Sequence, residues 1–151
     1  MRVIIRKQER RLYLLDGQTV LLCAPVALGR HTLGKKQREG DGRTPEGTYH
    51  ICLIKPNGKY GRSLGLDYPS PADAAAALQR RAIDPDTCQT IADAAAAHRR
   101  PPWGTPMGGE IYIHEGGVQR DWTQGCIALN AEDMDILFPY HAQITQVDIF
   151  P

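Results

Sequence analysis

Short apolar runs cut by turn residues limit what this chain can fold into more than any other feature. Val3-Ile4-Ile5, Leu12 to Leu15 and Thr19 to Leu28 each read as a strand, and Asp16-Gly17 is a strong hairpin signal between the last two. Thr48 to Ile54 predicts another strand, closed by a turn at Pro56-Asn57-Gly58. Ile111-Tyr112-Ile113 is a further β-like run, and the pattern of Ile144, Val147 and Ile149 makes Gln143 to Phe150 a closing strand. Helical signal is confined to two places. Ala72 to Arg81 and Thr87 to Ala97 are rich in alanine, with Pro85 between them and Pro101-Pro102-Trp103-Gly104 as a stop. Asn130 reads as an N-cap with Glu132 and Asp133 in the first turn, Met134, Ile136, Leu137 and Phe138 as the apolar face, and Pro139 at the end. The expectation is a mainly β, sandwich-like scaffold forming one domain over 1–151. A helical insertion or lid spans 71–102, and one helix follows the last cysteine. Residues 30–47, rich in Gly, Lys, Arg and Glu, read as an exposed loop whose end, Asp41 to Gly47, carries turn residues.

Bulk properties remove several classes of function. At 151 residues roughly two-thirds of the unfolded surface can be buried without any covalent staple. A formal net charge of +1 argues against a nucleic-acid footprint and against a polybasic membrane anchor. No apolar run reaches the roughly 18 residues of a transmembrane helix, and Met1 to Lys7 is too short and too soon charged to be a signal peptide. The four cysteines form no Cys-x-x-Cys pair, so neither a zinc site nor a thioredoxin-like centre is expected. Cys23 and Cys52 lie in strand-like runs and are expected to be inert core residues, with Cys88 packed on a helix. His31, His50, His98 and His141 have no metal-ligand spacing. Gly40-Asp41-Gly42 lacks the context of a phosphate cradle, and Arg99-Arg100 reads as a solvated helix end. No metal and no organic cofactor is implied.

Chemistry concentrates in one stretch. His114 ends a short β-like run, Glu115-Gly116-Gly117 follows, and Asp121 to Asn130 places Cys126 between Gly125 and the apolar Ile127-Ala128-Leu129. A thiol needs a nearby base to become a strong nucleophile at neutral pH, and a preceding glycine lets backbone N–H groups approach a reacting carbonyl. If the strands flanking the loop are neighbours, His114 and Cys126 can meet. Either Asp121 or a backbone carbonyl in 115–117 could orient the imidazole. N–H groups of Gln124, Gly125 and Cys126 would form the oxyanion hole. Trp122-Thr123-Gln124 forms an exposed approach to the cysteine, and Trp122, Tyr60 and Tyr68 read as walls of a substrate groove or as packing. The plain alternative is a core thiol and a structural histidine.

These residues resemble the catalytic core of the L,D-transpeptidases of the YkuD type, whose signature is a histidine, a variable loop and Ser/Thr-x-Gly-Cys. Thr123-Gln124-Gly125-Cys126-Ile127 fits it, and Asp121 to Leu129 is similar to a compact Asp-Trp-Thr-x-Gly-Cys-Ile-Ala-Leu form. The resemblance extends to Val26 to Gly29, to Gly40 to Tyr49, and to Tyr60, Ser63, Leu64 and Asp67-Tyr68-Pro69. It implies a Cys126 nucleophile, a His114 base and peptidoglycan stem peptides as substrate. A thioester would form at diaminopimelate with loss of D-Ala, and an amine would resolve it as a 3–3 cross-link. It also implies roles in cell-wall biogenesis and cell shape, work in the envelope or periplasm, and sensitivity to carbapenem-type inhibitors. The family's second histidine before Gly-Cys is Gln124 here, its arginine two residues after the cysteine is Ala128, and its glycine after the histidine is Glu115. A charge at Glu115 is expected to favour the protonated imidazole. Three alternatives stand beside this reading: an L,D-carboxypeptidase using water, a non-catalytic binder of cell-wall peptides, and a cysteine hydrolase of another lineage.

Overall fold

In the computed structural model, which describes residues 1–151, the amphipathic alternation of the first strands sets one sheet directly. Strand β1 (Arg2–Arg6) turns Val3 and Ile5 inward and its two arginines outward, and β2 (Arg11–Asp16) does the same with Leu12 and Leu14. Gly17, at φ +59°, makes the tight connection to β3 (Thr19–Pro25). The closing strand β9 (Gln146–Phe150) lies parallel to β1, and β4 (Gly47–Tyr49) lies antiparallel to β9, giving the order β3-β2-β1-β9-β4. The second sheet runs β5 (Ile51–Gly58), β6 (Gly61–Leu66), β7 (Tyr112–Glu115), β8 (Ile127–Leu129), with β7 and β8 parallel. Leu12, Leu14 and Val3 from one sheet meet Leu64, Ile113 and Leu129 from the other in a continuous apolar core. Helix α3 (Ala131–Leu137) adds Met134 and Leu137 to it. The architecture is a β-sandwich with few helices, as the sequence predicts.

Two strands expected to be continuous divide between the sheets. The run from Thr19 leaves the first sheet at Pro25, which has no N–H to donate. Ala27 then exchanges backbone hydrogen bonds with Ala128 at 3.0 and 2.9 Å, and Gly29 bridges to Thr123. The run from Thr48 splits at His50, with β4 in one sheet and β5 in the other. Pro56-Asn57-Gly58 is not a turn: the strand passes through it by an irregularity, and the reversal falls at Lys59-Tyr60.

Helices α1 (Pro71–Gln79) and α2 (Pro85–Ala96) start where capping chemistry dictates. Ser70 and Asp73 form a reciprocal capping box, and Asp84 accepts from the Thr87 N–H at 2.7 Å with Pro85 in the first turn. The pair packs on its own small cluster of Ala74, Ala77, Ile83, Ile91 and Met107. Other expectations are corrected. Cys23 is exposed and Cys52 half-buried, because the alternation that buries Leu22 and Ala24 turns Cys23 outward. Ile136 is also exposed, and Asn130 makes no side-chain cap bond. The 30–47 segment is not a solvated loop throughout: Lys36, Asp41 and Thr44 are buried in it. The Asp41 carboxylate accepts from the N–H groups of Gln37, Arg38 and Arg43 and from Lys36 Nζ at 3.0 Å. Burial alone would raise the Asp41 pKa, but these donors outweigh it and hold the carboxyl below the usual range.

Candidate active site

Strand register decides where the two reactive side chains point. Ile113 pairs with Ile127 and His114 with Ala128 in the parallel β7–β8 ladder, so residue 126 falls opposite Tyr112. Side chains alternate along each strand. Ile113 and Ile127 therefore enter the core together, while Tyr112, His114 and Cys126 emerge on the opposite face. All three line one open cavity of about 390 Å³. The condition set by the sequence, that the strands flanking the loop be neighbours, is met.

Cys126 is held by backbone at both sides. Its sulfur accepts the Tyr112 N–H at 3.4 Å, and its thiol donates to the Glu110 carbonyl at 3.4 Å. Glu110 sits at φ +55°, an unusual conformation for a residue with a side chain. Burial pushes the thiol pKa up, the Tyr112 N–H opposes that, and the Glu110 charge adds to it. No hydrogen bond joins Cys126 to His114 in this resting arrangement.

His114 is buried, and its Nδ1 donates to the Glu115 carbonyl, which assigns the proton to Nδ1 and leaves the Nε2 lone pair free. Burial lowers the imidazole pKa, only partly offset by that carbonyl. Tyr60 stacks on the ring at 4.8 Å and 21°, and Trp122 meets it edge-on at 5.6 Å and 66°. Trp122 is fixed by its indole N–H on the Gly117 carbonyl at 3.0 Å. Gly116, at φ +141°, has no room for a side chain, since a Cβ would come within 2.7 Å of the Trp122 ring.

The turn before Cys126 is built by Thr123. Its hydroxyl donates to the Cys126 carbonyl at 2.7 Å and accepts the Gly125 N–H at 3.1 Å. Gly125 therefore spends its N–H inside the turn, and its expected part in an oxyanion hole is corrected. The N–H groups of Gln124 and Cys126 donate to no group of the turn. Gly125 itself sits at φ +139°, where a Cβ would approach the Arg43 carbonyl to 2.7 Å.

Other expected site residues divide. Tyr60, Trp122, Thr123 and Gln124 line the cavity. Tyr68 does not: it is fully buried, with its hydroxyl donating to the Met107 carbonyl at 3.0 Å. Asp121 does not orient the histidine, because it binds Arg10 at 2.9 Å and the Leu28 N–H at 2.9 Å. Glu115 orients it through its carbonyl, while its carboxylate turns to Arg62. The expectation that its charge favours an imidazolium is corrected accordingly. Sequence reasoning missed Lys55 and Lys59, whose ammonium groups lie 4.9 and 5.2 Å over the Tyr112 and Tyr60 rings at the cavity wall. It also missed Glu110, whose backbone conformation leaves no trace in sequence. Tyr112 was legible, two residues from His114 on one strand face. No residue of 71–102 lines the cavity. No three of the His, Cys, Asp and Glu side chains converge as metal ligands.

Comparison with known proteins gives consistent results. The family model described as the L,D-transpeptidase catalytic domain matches residues 1–149. The candidate L,D-transpeptidase YafK of Escherichia coli K12 is 32% identical over 77 residues, covering 47% of this chain and 31% of YafK. Among solved structures, the helical cell shape determining protein Pgp2 of Campylobacter jejuni superposes with a TM-score of 0.65 at 21% identity, over 97% of this chain and 46% of that one. The L,D-transpeptidase LdtMt1, solved in complex with imipenem, gives a TM-score of 0.50 at 11% identity, over 98% of this chain and 57% of that one. At these identities the superpositions speak to fold. The chain spans less than a third of YafK and less than half of Pgp2.

Proposed function

Since the chain belongs to the L,D-transpeptidase catalytic domain family, we propose that it is a cysteine acyltransferase of peptidoglycan stem peptides, with Cys126 as nucleophile and His114 as base. One observation carries the residue assignment: the β7–β8 register sends both side chains to the same face and into one cavity. The raised thiol and lowered imidazole favour a neutral resting pair over a thiolate–imidazolium. When a stem tetrapeptide enters, the sulfur leaves the Glu110 carbonyl, gives its proton to His114 Nε2 and attacks the diaminopimelate carbonyl. Backbone N–H groups of Cys126 and Gln124 stabilise the oxyanion, at about 3 kcal/mol per donor. His114 returns the proton to the departing D-Ala, leaving a thioester. The amine of a second stem then displaces the sulfur as a 3–3 cross-link.

Lys55, Lys59 and Arg30 on the cavity wall suit a donor that carries carboxylates. The reading places the chain in the cell envelope and gives it a part in wall assembly and cell shape. No helix is long and apolar enough to cross a membrane. Water in place of the amine would make the same site an L,D-carboxypeptidase. The hydrogen bond from the thiol to Glu110 rather than to His114 favours, as a second reading, a domain that binds wall peptides without turnover.

The test is incubation with purified disaccharide-tetrapeptide, followed by mass spectrometry. Release of D-Ala with a cross-linked dimer is the expected result, and release without dimer selects the carboxypeptidase. A carbapenem should add covalently to the wild type and not to Cys126→Ala. Peptide binding without D-Ala release or adduct would sink the acyltransferase reading.

A further inference from the structure

Glu115, the residue after His114, has a specific partner. It lies across from Arg62 on β6, one step beyond the Ser63–His114 pair. Its carboxylate accepts the Arg62 backbone N–H at 2.5 Å and the guanidinium through Nε at 3.2 Å and Nη2 at 2.8 Å. The same guanidinium reaches Asp135 at 2.7 Å and the Ala131 carbonyl at 3.3 Å, both on α3. Gly61, at φ +90°, turns the hairpin beside this carboxylate, and a Cβ there would run into Glu115 Oε2. Forked Arg–carboxylate pairing fixes direction as well as distance.

The carbonyl that holds His114 Nδ1 belongs to the same residue, Glu115. Gly116 and Gly117 follow, both at positive φ, and neither has a side chain to restrain that peptide. Gly117 is tied from its own side, its N–H donating to the Leu129 carbonyl at 3.3 Å and its carbonyl accepting the Trp122 indole N–H at 3.0 Å, while the Glu115 side chain anchors the residue that carries the Nδ1 acceptor.

We propose that Arg62, acting through Glu115, is a positioning residue for His114: the ion pair holds the 115–116 peptide so that its carbonyl takes the Nδ1 proton and Nε2 stays bare. The inference rests on His114 being the base, but its first test needs no turnover. Ring nitrogen resonances of His114 are recorded by NMR on the full ¹⁵N-labelled chain at about pH 8, above the imidazole range. Wild type is expected to show one tautomer, with the proton on Nδ1. Arg62→Met and Glu115→Gln are expected to show averaged tautomers, and Arg62→Lys, which keeps the charge and loses the fork, an intermediate case. With stem tetrapeptide, kcat should fall about tenfold to a hundredfold while KM stays nearly constant. An unchanged Nδ1–H tautomer in folded Arg62→Met and Glu115→Gln overturns the proposal. If those two lose their fold, an unchanged tautomer and wild-type kcat in Arg62→Lys overturn it. Averaged tautomers in the variants of a chain that releases no D-Ala would support the positioning while removing the acyltransferase reading.

Discussion

At the scale of single residues, burial favours the neutral form of both groups that we propose as base and nucleophile. The His114 imidazole lies below its ordinary 6.5 through burial, and the Cys126 thiol lies above 9.0 for the same reason. The acid limb of carbapenem adduct formation against pH is therefore expected below 6.5, because the base stays unprotonated to lower pH than a solvated histidine. Tyr60→Ala opens the ring to water, so that limb should move up toward 6.5. An unmoved limb would show that Tyr60 does not shield the imidazole. The same shifts act on stability with opposite signs. His114 binds its proton less tightly folded than unfolded, so its contribution is full above 6.5 and is lost as pH falls through the depressed value. Cys126 holds its proton more tightly folded, so its contribution is full below 9.0 and is lost as pH rises. Denaturant midpoints measured across pH should plateau between those limits for the wild type and show a weaker alkaline fall in Cys126→Ala.

At the scale of elements, β7 does two jobs with alternate residues. Ile113 fills the core between the sheets, while Tyr112 and His114 face the cavity. Ile113→Ala should destabilise the fold by about 2–5 kcal/mol, read as a lowered thermal midpoint with loss of adduct formation in parallel. Much of this was legible in sequence. The pairs Val3/Ile5 and Leu12/Leu14 fall at period two, Pro85 stands between two alanine-rich helices, and His114 and Cys126 stand out beside glycines. The rest depends on partners far along the chain. Nothing local says that the strand from Thr19 changes sheet at Pro25, that Asp121 is spent on Arg10 and Leu28, or that the Tyr68 hydroxyl is spent on the Met107 carbonyl. Cys23 faces outward against expectation because an apolar run does not declare which of its faces is buried.

At the scale of the whole molecule, the cavity floor hangs on a close approach of three backbone segments. A Cβ on Gly29 would run into the Gly42 carbonyl and stand 3.2 Å from the Gly125 Cα, while the Gly29 N–H donates to Thr44 at 3.0 Å. Gly29→Ala should cost about 1–3 kcal/mol and slow carbapenem acylation more than the lowered midpoint accounts for, because the cysteine turn must shift with the loop. A variant with wild-type acylation would show that the turn is held from elsewhere.

The place of β9 has a consequence for how such a molecule comes into being. The last of the nine strands lies inside its sheet, between β1 and β4, and not at the rim. Until it arrives, β1 and β4 present open hydrogen-bonding edges, the kind of surface on which nascent chains stick to one another. Completion of this sheet must wait for β9, and removing that strand would divide the sheet in its middle rather than trim its fringe.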